Sequence, residues 1–247
     1  MNTGGGQGGG RMIWFTVGAL AVALLGPLGY RLDLLPLLPS LLLPVVGALA
    51  ALLALGLAVY LLLRPTASRA RALVVILLAV PLVSLVGWQL VAVVRAPPIH
   101  DITTDLEVPP KFDHVRALRP PHANPLQRTA DTDRQQRAAY PHIQPLYLGV
   151  PSLQVRALVA RLVEERGWQL HPADHQSLLV EATATTRLYG FADDIIIRLT
   201  PVEGGTKVDM RSVSRIGVSD LGTNARRIRE FLADLERVAD DARPLSP

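Results

Sequence analysis

Three long apolar stretches open the chain, from about Met12 to Tyr30, Leu37 to Leu63 and Ala72 to Val94. None contains a charged residue. Each approaches or exceeds the roughly 20 residues that a helix rising 1.5 Å per residue needs to cross a bilayer. A buried helix of a water-soluble protein is usually shorter and keeps one polar face. The pattern therefore predicts three transmembrane helices. Trp14, Tyr30, Tyr60 and Trp88 fall towards span ends, where interfacial aromatics belong. Pro27, Pro44 and Pro81 are tolerable there, because neighbouring helices can re-satisfy freed carbonyls. The first stretch is long for a cleaved signal sequence and no A-x-A site follows it, so it is expected to remain as a span.

After Val94 the pattern breaks. Ten of the twenty prolines fall between Ala96 and Pro151, including Pro97-Pro98, Pro109-Pro110 and Pro120-Pro121, which rules out a long helix there. The segment still carries Ile99, Ile102, Phe112, Tyr140, Ile143 and Tyr147, more apolar residues than a disordered linker holds. It is expected to lie as a strap across the following domain. Asp131 to Arg137 is strongly polar and predicts an exposed helical turn or loop.

From Ser152 two periodicities alternate. Val155, Leu158, Val159, Leu162 and Val163 form a helical stripe ending at Gly167, with Ser152 as cap. Strands are predicted over Trp168–His171, Ser177–Thr186, Asp194–Val202 and Thr206–Arg215, with a tight turn at Gly204-Gly205. Leu178, Val180, Ala182 and Ala184 share one face; Glu181, Thr183 and Thr185 share the other. A last helix from Asn224 to Ala239, capped by Thr223, buries Ala225, Ile228, Phe231, Leu232, Leu235 and Val238. The expected fold is a transmembrane bundle of about three helices followed by an α+β domain. Its antiparallel sheet has three to four strands, with helices on one face and Thr, Arg and Glu exposed on the other. The boundaries are a flexible Gly-rich tail at 1–11, a transmembrane domain at 12–95, the strap at 96–150 and the core at 151–243.

Charge sharpens this organisation. Residues up to Arg95 hold six arginines against Asp33, whereas the remainder holds nineteen basic and twenty acidic residues. The high pI thus comes from arginines flanking the spans, and a nucleic-acid partner is not expected. The second short loop carries Arg64, Arg69 and Arg71, against Arg31 offset by Asp33 in the first. The positive-inside rule places that loop and the N-terminus in the cytoplasm of a bacterial inner membrane. The C-terminal domain then faces the periplasm or exterior. The absence of cysteine excludes disulfides, thiol catalysis and Cys-ligated metals.

Two segments carry a resemblance. They are His100 to Asp105 (HDITTD) with Pro109-Pro110, and Val208 to Leu232 (VDMRSVSRIGVSDLGTNARRIREFL). Together they resemble DUF1499, a bacterial family of unknown function, over roughly Pro98 to Leu235. The resemblance implies a domain identity and a membrane-linked architecture. It implies no activity, cofactor or catalytic residue.

The densest polar cluster gathers Arg211, Ser212, Ser214, Arg215, Ser219, Asp220, Asn224, Arg226 and Arg227 at a strand end, a turn and a helix start. Free N–H groups at a helix start favour an anion, so Arg226 and Arg227 there need acids or a bound anion beside them. One reading is an Arg–Asp network that locks strand to helix; the other is a phosphate or carboxylate site. Asp101, Thr103, Thr104 and Asp105 form a second cluster. It suits either a hard cation and acid–base work, or Asx and Thr turns that pin the strap. His171 and His175 stand four apart, but Pro172 and Ala173-Asp174 suggest a hairpin, so no metal is expected. Gly204 to Lys207 lacks the spacing of a phosphate loop, and Gly217 to Leu221 misses a nucleophile elbow by one residue.

No cofactor is expected. The leading expectation is a membrane-anchored envelope protein that binds an anionic small molecule, a lipid headgroup or a membrane protein. Competing with it are a hydrolase acting on an envelope substrate through Asp101 or Asp105, and a structural subunit of a membrane complex.

Overall fold

The computed structural model of the chain describes residues 4–64, 68–172 and 177–241. His175 and the predicted turn at Ala173-Asp174 lie outside the described residues. The chain divides into two compact units, the first made of residues up to Arg95 together with Arg187–Gly190, the second of Ala96–Thr186 and the residues from Phe191 on.

The first unit contains α1 (Gly4–Arg31), α2 (Leu37–Leu62) and α3 (Arg69–Arg95), each long and apolar enough to cross a membrane. The helix α1 takes in the glycine run from Gly4 onward, since extending a nucleated helix is cheaper than starting one. Pro27, Pro44 and Pro81 sit inside these helices without ending them. The packing inverts that of a water-soluble bundle. Small residues face inward: Ala19, Ala51 and Ala79 form one cluster, and Ala54, Ala58 and Ala72 pack with Met12 and Val75 in another. Large residues such as Leu53, Leu77 and Trp88 face outward. Membrane helices associate this way, because lipid is as apolar as leucine and close backbone approach is what remains to be gained. Gly47 shows the approach directly, as a Cβ there would stand 2.5 Å from the carbonyl oxygen of Ala19. The buried hydroxyls of Thr16 and Ser40 donate to carbonyls of their own helices, Met12 and Leu37.

The second unit is an α+β domain, as the pattern predicts. Its elements are β1 (Asp101–Thr103), α4 (His114–Leu118), α5 (Ala130–Ala139), β2 (Leu146–Leu148), α6 (Ser152–Glu165), β3 (Gln169–Leu170), β4 (Leu179–Thr185), β5 (Ala192–Val202), β6 (Gly205–Ser214) and α7 (Thr223–Asp241). The sheet order is β1-β6-β5-β4-β3, with β2 also on β6, and every pairing is antiparallel. The sheet therefore has six strands where three or four were expected. The strap supplies the extra two: β1 pairs with β6 at residues 211–213, and β2 pairs with it at 206–208. Three-residue strands between prolines are too short to show an alternation. Close approach at β2 also explains Gly205, where a Cβ would lie 1.9 Å from the carbonyl oxygen of Leu148.

Both long helices cover one face of the sheet. Val155, Val159, Leu162 and Val163 of α6 pack with Ile228, Phe231, Leu232 and Leu235 of α7 against Ala182, Ile195, Ile197, Val208 and Met210. Trp168 stacks on Phe231 with ring centroids 5.4 Å apart. The start of α6 differs from expectation. Pro151 is the N-cap, and Ser152 lies one residue inside, its Oγ 2.9 Å from Thr206 Oγ1. Its end is as expected: Gly167 adopts φ +66°, and Trp168 N–H reaches back to the Val163 carbonyl.

The opposite face is a correction. It was expected to be exposed, yet Glu181, Thr183, Asp194, Asp209 and Arg211 on it are all buried. The strap lies over it. Phe112, Val115 and Leu126 form a second, smaller core with Ile196, Val213 and Leu179. Burying these polar groups is tolerable only because each meets a partner.

Candidate functional site

Strand register builds the polar layer. Thr183, Asp194, Val213 and Asp101 lie in one row across β4, β5, β6 and β1. Val213 thus stands between two carboxylates. Arg211 and Arg215 flank Val213 at two residues on either side of it, so both share its face and reach the carboxylates diagonally. Arg211 donates from Nε to Asp101 Oδ1 at 3.0 Å and from a terminal nitrogen to Oδ2 at 2.7 Å. Arg215 takes Asp194 in a similar two-pronged way, from Nε to Oδ2 at 3.0 Å and from a terminal nitrogen to Oδ1 at 2.8 Å.

The strap adds two more guanidiniums. Arg119 binds the second oxygen of Asp194 and the carbonyl of Asn124. Arg128 binds Asp101, Asp133 and Gln136. Four guanidiniums thus share Asp101, Asp194 and Asp133, and Glu181 on the same face brings the buried acids to four as well. The Glu181 oxygens accept the N–H groups of Asp113 and Val115, each at 2.7 Å. Those bonds supply the N-terminal cap that Asp113 itself does not give α4. Burial pushes the Arg119 guanidinium below its ordinary value; Asp194 opposes that shift, and Arg215 and Arg211 reinforce it.

Above this layer, strap residues between Pro109 and Arg128 enclose an open cleft of about 700 Å³, with Arg211 also in its wall. Lys111, Arg116, Arg119, Arg128 and Arg211 line it, and no Asp or Glu does. Lys111 and Arg116 are exposed and pair with no carboxylate among the described residues. Arg119 spends two of its five N–H donors on protein acceptors, so three remain. Arg128, by contrast, is consumed by its partners.

The structure separates the twelve residues singled out from sequence. Asp101 and Arg211 pair with each other, and Arg211 alone of the twelve lines the cleft. Thr103 is bound through its backbone: Gln136 accepts its N–H and donates to its carbonyl, acting as a one-residue strand on the outer edge of β1. Thr104 Oγ1 donates to Asp209 and accepts from Met210 N–H. Asp105 joins Arg198 and Lys207. Burial pushes its carboxyl up, but the N–H of Val108 and the Lys207 ammonium outweigh that, so it sits below the usual range.

The other residues face the helices, since strand neighbours alternate. Ser212 Oγ donates to Asn224 Oδ1 at 2.6 Å, and Asn224 Nδ2 donates to Ser214 Oγ at 3.0 Å and to the His100 carbonyl at 2.9 Å. Arg227 pairs with Asp193 and donates to Ser212. Asp220, rather than Thr223, caps α7 by accepting from Asn224 N–H. Burial holds the Asp220 carboxyl above its ordinary value. Arg226 is exposed. What looked like one cluster is therefore two networks on opposite faces of the sheet.

The HDITTD segment is β1 with its flanks, and the second motif is β6 running through its turn into α7. All their residues but His100 fall within the residues 101–235 that match the DUF1499 description, protein of unknown function. The chain belongs to the DUF1499 family. No curated protein matches it. In this DUF1499 domain the two motifs meet as neighbouring strands, and most of their polar residues hold the strap and α7 to the sheet.

Sequence reasoning missed Lys111, Arg116, Arg119 and Arg128. A local charge count would have found them: from Pro109 to Arg128 the strap holds four cations and one acid, Asp113. Also missed was a chain of hydrogen bonds behind the cleft. Thr183 Oγ1 donates to Asp194, so its contact with His171 Nε2 at 2.8 Å requires the nitrogen to carry the proton. Burial, then the adjacent His114 ring, push the His171 imidazole below its ordinary value.

Proposed function

We propose that this chain is a membrane-anchored envelope protein whose C-terminal domain binds an anionic ligand in the strap cleft. One observation carries the reading: five cations and no carboxylate line the cleft, and two of them, Lys111 and Arg116, are exposed and pair with no carboxylate among the described residues. Unspent N–H donors on Arg119 suit a phosphate or carboxylate oxygen, and Lys111 and Arg116 add mobile charge. Of the residues chosen from sequence, Asp101 supports this ligand class indirectly, by fixing Arg211 and Arg128. The anchor is the three-helix unit. Arg64, Arg69 and Arg71 favour a cytoplasmic second loop, which would put the domain outside the cytoplasm.

The test uses the full chain in nanodiscs of zwitterionic lipid. Inorganic phosphate is titrated against chloride at matched ionic strength while thermal unfolding is followed. Saturable stabilisation by phosphate, lost in Lys111→Ala/Arg116→Ala, is expected. Equal responses to phosphate and chloride in both proteins would overturn the reading.

A further inference from the structure

We infer that the ligand of the strap cleft is amphiphilic: a phosphate ester carrying an apolar chain. This rests on the anion-binding reading and adds the chemistry of the rest of the molecule. At about 700 Å³ the cleft falls within the ~300–1,000 Å³ of sites for drug-sized ligands. A bare oxyanion would leave most of it to water. The cations do not fill the lining. Phe112, Leu126, Pro109, Pro120 and Pro125 also line it. Phe112 lies under the Arg211 guanidinium, 5.4 Å from ring centre to central carbon, so charge and apolar surface meet at one point.

The apolar part of the wall is stiff. Prolines have a fixed φ, and Phe112 is buried against Val115, Ile196 and Val213. Little conformational entropy is lost when a chain lies along such a wall. The cleft is open to solvent along one side, so a chain longer than the site can leave it. Phosphate oxygens would sit at Arg119, Lys111 and Arg116, with the first carbons of the chain along Leu126 and the prolines.

Chain length is the readout. Each methylene that leaves water tightens binding by about four-fold. Methyl phosphate, hexyl phosphate and hexanol are titrated into the full chain in zwitterionic nanodiscs. A parallel set of discs contains phosphatidic acid. Hexyl phosphate is expected to bind at least ten-fold more tightly than methyl phosphate. Leu126→Ala and Pro125→Ser should each reduce that ratio, by weakening hexyl phosphate more than methyl phosphate. Either substitution serves if the other perturbs folding. Competition by phosphatidic acid would identify a bilayer lipid as the source of the ester, and its absence a water-soluble one; both support the amphiphilic class. Equal affinity for methyl and hexyl phosphate overturns this inference and leaves the anion reading intact. Failure of both phosphates, or hexanol binding as tightly as hexyl phosphate, removes the anion reading and this one with it.

Discussion

Asp101 and Arg211 hold the strap to the sheet through a two-pronged ion pair in which each side chain is only 5% exposed. The pair joins β1 to β6 across one register step, since Asp101 opposes Val213 and Thr103 opposes Arg211. Removing one partner strands a buried charge, which typically costs about 3–5 kcal/mol. Asp101→Ala is expected to lower the unfolding temperature sharply. Asp101→Leu/Arg211→Met should cost less than Asp101→Ala, because the Arg211 charge is gone and Arg128 keeps Asp133 as its partner. Thermal unfolding of the full chain in nanodiscs, with protease sensitivity of the strap, checks both.

Glu181 makes a different prediction. Its carboxylate is the partner of two backbone donors in the strap, Asp113 and Val115. Glu181→Ala leaves them unpaired, at about 1–3 kcal/mol for each buried donor. Amide hydrogen exchange should accelerate at Val115 and through α4. The amides of β5 and β6 should keep their protection, since their ladder does not depend on Glu181.

The His171 imidazole is held neutral by burial and by His114. Its unfolded value is about 6.5, and the folded value is lower. Below pH ~6.5 the unfolded chain takes up a proton that the folded one refuses, so stability rises with pH through this window. The contribution is complete above pH ~6.5 and declines on acidification below it. His171→Gln should flatten the rise of stability with pH below about 6.5. A slope equal to wild type would refute this assignment.

Asp105 behaves in the opposite range. Its folded value lies below the ordinary one, so its stabilisation is present above about pH 3.9 and is lost as pH falls through the lowered value. Asp105→Asn is expected to destabilise the protein at neutral pH by about 2 kcal/mol, the scale of hydrogen bonds to a charged group. The gap from wild type should narrow as the pH falls from neutral to about 3. Denaturant unfolding at both pH values measures it.

Much of the architecture was written in local patterns. Uncharged runs of span length made the three helices legible, and the stripes of α6 and α7 named their buried residues. Alternation named the apolar face of β4 and β5. These features depend on neighbours a few residues apart, and the hydrophobic effect acts on them wherever they pack. The family resemblance was legible for the same reason, since it rested on two contiguous segments.

The tertiary structure decided what the polar residues do. Alternation shows that Glu181, Thr183, Asp194, Asp209 and Arg211 share a face, but it assigns polar faces to water. The strap reverses that, because its prolines, Phe112 and Val115 cover the face, and its Arg119 and Arg128 supply missing charges. Ser212 and Arg211 are adjacent in sequence, yet a strand sends them to opposite sides of the sheet. Arg119 and Asp194 are 75 residues apart, and only the closed strap brings them together. The sequence by itself determined the spans, the apolar faces and the family. The pairing of charges, and the cleft the strap cations line, needed the fold, because an ion pair depends on distance in space and not along the chain.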